Sequence, residues 1–339
     1  MKSKSSFINN FFAGRGPLLI SLMIVTLVIT YLVMPGAFTR GNAQQILNNL
    51  CFMCVFGVGV PVLLMGGGFD FAASAHSTCS TLIFLLVMQK FPDMHWGVAA
   101  IAAILFGAFA GGVNAFLAHG LKLMPFIATI GMSSVWGGIA KWATRGNYVA
   151  INNAGFNKLT SGLIGNTPIP WLILFVIALV IVYSLMLKYT KFGRSITMVG
   201  GNPEAARLAG INPDKIKCIL YINNGMLAAV GGLIWSSQQR MYNPTGLTSL
   251  APEMTSLTAA ILGGISFMGG SGSLGGAFCG VVLISLLGYA LQAMMLPTWV
   301  TTLVNGMLLV LALTIDSLTR RKGRQKMASS RMIMPGMSR

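Results

Sequence analysis

Charge is what this sequence has least of. Only 9 % of its 339 residues are charged, and only six are acidic. Soluble globular proteins carry roughly 25 % charged residues, so this chain could not cover its surface in water. A disordered chain is excluded as well. Such chains are poor in apolar residues, whereas 55 % of this one comes from the AVILMFWYC set. With so few acids, most of them in connecting segments, no nucleophile–histidine–carboxylate set can be assembled. No G-x-x-x-x-G-K-[ST] occurs, so the chain is not its own P-loop ATPase.

Metal and redox chemistry find equally little. His76, His95 and His119 are scattered, and the 22 methionines form no cluster with Cys or His that would suit a copper path. The five cysteines are an odd number. Cys51 and Cys54 make a C-x-x-C, but neither a thioredoxin-like context nor a second ligand pair accompanies it, so small apolar filler is the favoured reading. Gly270, Gly272 and Gly275 match the dinucleotide fingerprint only formally, because no soluble βαβ unit surrounds them. No cofactor and no metal are expected on this chain.

What the sequence does have is long apolar runs. A bilayer core of about 30 Å needs roughly 20 apolar residues per helix. Ten runs qualify: 17–34, 46–65, 72–90, 97–118, 124–140, 169–187, 218–236, 254–268, 273–296 and 298–315. The expected fold class is all-α, a polytopic membrane protein. Segment 254–268 is short for a full span and reads as tilted, broken or re-entrant. The first run is too long for a signal-peptide core and lacks a good cleavage site, so it reads as an uncleaved helix.

The net charge of +17 fits this picture. Nucleic-acid binding would need a basic face on a folded soluble domain, and none is visible. With the N-terminus in the cytoplasm, 17 of the 23 basic residues fall on the inner side, as positive-inside bias requires. Both termini are then cytoplasmic. The chain divides into an N-terminal segment 1–16, a membrane domain 17–318 with a cytoplasmic loop at 188–217, and a basic tail 319–339 suited to an anionic leaflet. Membrane lipid is an expected partner and nucleic acid is not. A turn-rich outer loop at 141–168 suits a partner surface or a lid. GGFDF at 67–71 aligns with GGISF at 263–267 as a weak internal repeat, each at the inner end of an apolar run.

The cytoplasmic loop carries the most organised local signal. Asn202 is a good N-cap and Pro203 fits the first helical position. Glu204 suits the positive end of the helix dipole and Arg207 the negative end. Ala205, Ala206, Leu208 and Ala209 complete a two-turn helix over about 203–209, and Gly210 is a natural stop. Asn212–Pro213 begins a second helix. Helices this short are marginal alone in water. The first must therefore dock, either on the protein's own helix ends or in a groove on a soluble subunit.

The stretch FGRSITMVGGNPEAARLAGI at 192–211 resembles the EAA-type coupling segment of bacterial ATP-binding-cassette importer permeases. Further matches follow in chain order: GGGFDF at 66–71, Asn114 with PFIATIG at 125–131, and ILGGISFMGGSGSLGG at 261–276. Together they resemble the sugar-permease family of the ribose, galactose and xylose systems. The chain departs from that pattern at Ala72-Ala73-Ser74 and at Ser271, which bears on substrate identity and loop contacts.

The resemblance implies a permease subunit in the bacterial inner membrane that passes a sugar or sugar-like molecule and performs no bond chemistry. It implies a second permease chain, identical or different, two ATP-binding subunits and a periplasmic sugar-binding protein. It implies that residues 202–210 couple to the ATPase, and that Asp70, Asn114, Pro125, Phe126 and Thr129 belong to the pathway or gate. Asp70 could cap the helix beginning near Ala72, build a gate or touch sugar, with the first two favoured. Asn223 and Asn224 read equally as helix glue or as substrate contacts. A stand-alone secondary transporter or channel is the competing reading. Ion-coupled versions usually need acids inside the membrane, which are scarce here.

Overall fold

The computed structural model describes residues 16–332. Residues 1–15 of the N-terminal segment and residues 333–339 of the tail lie outside the described residues. Fourteen α-helices, a 3₁₀ turn (Pro35–Phe38), a π-helical turn (Phe116–Gly120) and one two-stranded ribbon make up the regular structure of the described residues. In order the α-helices are α1 (Gly16–Val33), α2 (Arg40–Met65), α3 (Ala73–Lys90), α4 (Trp96–Ala115), α5 (Pro125–Thr144), α6 (Ala154–Ser161) and α7 (Leu172–Tyr189). There follow α8 (Lys191–Gly201), α9 (Pro203–Leu208), α10 (Pro213–Gln239), α11 (Gly246–Leu250), α12 (Pro252–Leu262), α13 (Leu274–Ala293) and α14 (Thr298–Met332).

Each of the ten apolar runs contains one helix. Six stretches are long and apolar enough to cross a bilayer: Arg40–Met65, Trp96–Gly120, Leu172–Tyr189, Pro213–Gln239, Leu274–Ala293 and Trp299–Ser317. Leu19–Val33 is apolar but shorter. The run at 254–268 is α12, a helix of only 11 residues followed by a glycine-rich turn. At 1.5 Å per residue it spans about 16 Å, roughly half a bilayer core.

The distribution of polarity is inverted relative to a soluble protein. Helix α3 carries a run of small polar residues, and its stretch from Ala73 to Leu82 is wholly buried. Large apolar side chains such as Leu32, Ile101, Leu105, Phe109, Ile127, Val182 and Val310 project outward. A lipid solvent makes that surface stable, and buried hydroxyls must then find partners inside. They do. Ser77 donates to the Ala228 carbonyl, Thr78 to Ser74 at 2.9 Å and Thr81 to Ser77 at 2.9 Å, while Cys79 reaches the Trp136 carbonyl at 3.0 Å.

Helix α10 packs against α2, α3 and, most extensively, α4. Glycines make the last contact possible. A Cβ at Gly111 would stand 2.3 Å from the Tyr221 carbonyl oxygen, and one at Gly225 would stand 2.1 Å from that of Gly107. Backbones this close leave room only for hydrogen at those positions.

At one end of the bundle, strand β1 (Val149–Ala150) pairs antiparallel with β2 (Met241–Tyr242), and α6 lies beside them. Asn153 caps α6 through the Phe156 N–H at 2.9 Å. Ser237 at the end of α10 donates to the Phe156 carbonyl at 2.9 Å, and the Asn48 amide donates to the Thr160 carbonyl at 2.9 Å. The turn-rich loop is therefore a folded platform over the ends of α2 and α10.

Candidate functional site

Three features lie along the axis of the bundle. The first is a cavity of about 480 Å³ at the platform end. The start of α2, the end of α10, the start of α12, the second half of α13 and Asn305 of α14 form its walls. Eight carboxamides line it, including Gln44, Gln45, Asn49, Gln238, Gln239 and Gln292, together with Phe52, Trp235 and Tyr289. No charged side chain lines it. Two wall atoms, Asn48 Oδ1 and Ser285 Oγ, are buried without a hydrogen-bond partner. A site built this way offers neutral donors and acceptors to an uncharged polar solute, and aromatic faces to its C–H surfaces.

The second feature is a buried polar hub between α3, α4, α10 and α12. Asp70 precedes α3 and is 6 % exposed. Its Oδ1 accepts from the Ala72 N–H at 3.0 Å and from the Asn114 amide at 2.9 Å, and its Oδ2 accepts from the Asn224 amide at 3.0 Å. His76 Nδ1 stands 3.7 Å from Oδ2. The Asn114 amide also faces His76 Nε2 at 3.3 Å. An amide nitrogen only donates, so Nε2 accepts and the imidazole proton sits on Nδ1, towards Asp70. Ser74 donates to Glu253 Oε1 at 2.9 Å, and Glu253 Oε2 has no partner. Asp70 and Glu253 border the same small void of about 10 Å³, close to the volume one water requires.

The third feature closes the opposite end. Helix α8 is amphipathic, capped by Thr190 through the Gly193 N–H at 3.0 Å, and buries Ile196 and Val199. Its last turn presses Gly200 against the end of α2, where a Cβ would lie 1.9 Å from the Met65 carbonyl oxygen and 2.7 Å from the Gly270 nitrogen. The Gly270 N–H donates to that same Met65 oxygen at 2.8 Å. The two glycine-rich stretches 67–71 and 263–267 meet here: each follows a helix end, and the rings of Phe69 and Phe267 stand 5.0 Å apart. Tyr221 ties the junction to α10, its hydroxyl donating to the Phe69 carbonyl at 2.6 Å.

Helix α9 projects from this junction. Asn202 Oδ1 accepts from the N–H groups of Glu204 and Ala205, both at 3.1 Å, and Pro203 is the first helical residue. Ala206 is fully buried, whereas Leu208 is 92 % exposed. Arg207 pairs with Asp214 at 3.1 Å and with Glu204 at 3.7 Å. Ala209 ends the helix and Gly210 follows with φ +78°.

The residues singled out from the sequence thus separate. Asp70, Asn114 and Asn224 converge on the hub. Asn223 faces away from it and accepts from the Tyr183 hydroxyl, joining α10 to α7. Pro125, Phe126 and Thr129 open α5; Phe126 packs edge-on to Phe71 at 5.1 Å, and Thr129 bonds back to the Pro125 carbonyl at 2.9 Å. None of these seven residues lines the amide cavity. The adjacent pairs Gln44–Gln45, Asn48–Asn49 and Gln238–Gln239, polar steps at the ends of apolar runs, were the signal for that cavity in the sequence. Helix α8 had its own signal in Phe192, Ile196 and Val199 at helical spacing. Among the described residues, no three His, Cys, Asp or Glu side chains gather as metal ligands.

Comparison with known proteins places this architecture. The autoinducer 2 import system permease protein LsrC of Escherichia coli (strain SMS-3-5 / SECEC) is 29 % identical over 321 residues, covering 91 % of each chain. The ribose import permease protein RbsC of Escherichia coli (strain K12) is 28 % identical over 88 % of this chain and 92 % of its own. The galactose/methyl galactoside import permease protein MglC of Haemophilus influenzae is 26 % identical over 89 % of this chain and 94 % of its own. No solved structure matches. The family described as branched-chain amino acid transport system / permease component matches residues 42–313, which take in the hub, the junction and α9 and most of the cavity wall. This multi-pass membrane chain belongs to that family of permease components.

Proposed function

We propose that this chain is the permease subunit of an ATP-binding-cassette importer in the bacterial inner membrane, and that it passes a sugar or a sugar-like molecule. The cavity carries the reading. A passage for sugar needs neutral hydrogen-bonding groups that hold weakly, and the cavity offers carboxamides and aromatic faces with no charge. The family description names amino acid transport, so a zwitterion is the competing cargo. A zwitterion would enter a site lined by opposite charges, and this one has none. The relatives named for ribose, galactose and autoinducer 2 import point the same way.

The remaining assignments extend that reading. The ten helix-bearing runs, six of them long and apolar enough by themselves, support ten crossings with both termini in the cytoplasm. The excess of basic residues near α8, α9 and the tail supports a junction on the inner face and a cavity on the outer one. A second permease chain completes the pathway, two ATP-binding subunits grip residues 202–210, and a periplasmic sugar-binding protein docks on the platform. The exposed Leu208 beside Arg207 suits a groove on the ATPase, and the buried Ala206 roots the helix in this chain. Asp70, Asn114 and Asn224 hold the gate region together and do not touch cargo. ATP is hydrolysed on the partner, and this chain needs no cofactor.

Uptake of labelled monosaccharide into proteoliposomes holding permease, ATPase and binding protein tests the reading. Gln239→Leu in the cavity wall is expected to lower uptake at least tenfold while all partners still co-purify. Glu204→Ala and Arg207→Ala are expected to weaken ATPase co-purification while the permease still inserts. Sugar accumulation by the permease alone would refute the importer reading and favour a secondary transporter. Uptake of an amino acid in place of sugar would refute only the cargo.

A further inference from the structure

Away from the cavity, a groove of about 530 Å³ opens on the exposed apolar surface where α4 gives way to α5. Its lining includes Leu117 from the π-helical turn Phe116–Gly120, Leu123 and Met124 before α5, and Ile127, Gly131 and Met132 on α5 itself. Positions 124, 127, 128, 131 and 132 share one helical face and run for about 12 Å along the helix. Met124 and Ile127 are 68 % and 63 % exposed. A Cβ added at Gly131 would meet nothing within 4 Å, so the groove is hollow at that point.

The only charged residue in the lining is Lys122, at one end of the groove on the connection between the two helices. None of the four ion pairs among the described residues engages its ammonium group. An elongated apolar trough with one unpaired cation at its end has the polarity of a lipid, but with the opposite sign at the head. We propose that this groove is a binding site for an anionic phospholipid, with an acyl chain laid along Met124, Ile127 and Gly131 and the headgroup phosphate at Lys122. The trough lies on the lipid-facing surface, so an acyl chain fills it in any bilayer; the cation decides which headgroup comes with that chain. A single cation near a membrane surface favours an anionic over a zwitterionic lipid by roughly fivefold. The site is independent of what the permease carries.

Native mass spectrometry of the full chain, titrated in detergent with phosphatidylglycerol or phosphatidylcholine, tests this. The wild-type chain is expected to retain phosphatidylglycerol roughly fivefold more than phosphatidylcholine. Lys122→Gln is expected to bring the two to parity without changing phosphatidylcholine retention. Gly131→Leu, which fills the hollow, is expected to lower retention of both lipids by at least one bound molecule per chain, with an unchanged melting temperature. A Lys122→Gln chain that keeps the full preference overturns the proposal, because the headgroup is then held elsewhere. Gly131→Leu with unchanged lipid counts also overturns it. So does a Gly131→Leu chain whose only change is its oligomeric state, since the trough would then seat a second copy of the permease.

Discussion

Replacing Asp70 isolates what the hub contributes. Its two carboxyl oxygens accept from one backbone N–H and from the amides of Asn114 and Asn224, which come from α4 and α10. Asn114 is 0 % and Asn224 2 % exposed. Asp70→Ala leaves one N–H of each amide without its acceptor inside the bundle, while the other N–H of Asn114 keeps His76 Nε2. Each unsatisfied buried donor costs about 1–3 kcal/mol, so the substitution is expected to cost about 2–6 kcal/mol. Asp70→Asn keeps the shape and one carbonyl oxygen, but turns an NH₂ group towards one of the two donors. Its expected cost is about half, ~1–3 kcal/mol. The order separates two explanations. If Asp70 only fills space, the isosteric Asn variant melts with the wild type and Ala alone is destabilised. If it works as an acceptor, Asn falls between the two. Thermal unfolding of the detergent-solubilised chain, followed by tryptophan fluorescence, reads that order. Adding Asn114→Asp to Asp70→Asn restores one acceptor–donor pair and is expected to recover part of the loss. Both single variants melting with the wild type would refute the assignment of the hub as the tie between α3, α4 and α10.

Three further outcomes follow from local geometry. Gly200→Ala drives a methyl group against backbone at the junction and is expected to destabilise by about 1–3 kcal/mol, whereas Gly138→Ala, with nothing within 4 Å, is expected to be neutral or slightly stabilising; equal melting of the two would count against a tight junction. Asn202→Ala removes two hydrogen bonds at the start of α9 and is expected to cost about 1 kcal/mol, seen as faster amide exchange across 203–209 with no change in α10. Tyr242 is 1 % exposed and its hydroxyl has no partner, so Tyr242→Phe is expected to lie within about 1 kcal/mol of the wild type, on the stabilising side. Burial also raises the phenol's pKa. The folded form keeps its proton while the unfolded form loses one near pH 10, so stability is complete below that pH and falls above it. The Phe variant should lack this residue's share of the fall.

Solvent and segmentation follow from local composition alone. Nine per cent charge and ten apolar runs leave a lipid-solvated helical chain as the workable class, because helix length and hydropathy are local properties set by the bilayer. The start of α9 was legible for the same reason: Asn202, Pro203 and Gly210 act within one or two turns of backbone, and the structure has a helix at Pro203–Leu208 with Asn202 as its cap. Gly107 and Gly111 stand at G-x-x-x-G spacing, which suits close helix packing, but nothing in the sequence names their partner Gly225.

Which polar residues meet depends on how the helices pack. Asp70, Asn114 and Asn224 are separated by more than forty residues at each step, and their convergence depends on the rotation of three helices about their axes. The same rotation turned Asn223, one residue from Asn224, out of the hub and towards Tyr183. The amide cavity draws on helix ends from α2, α10, α12, α13 and α14. The paired glutamines and asparagines there mark helix ends, but nothing in the sequence says that those ends share one space; the packed bundle brought them to face it. The glycines at 66–68, 200–201 and 269–270 are plain in the sequence. That they are stacked backbone on backbone followed from close packing, which no one-dimensional pattern encodes.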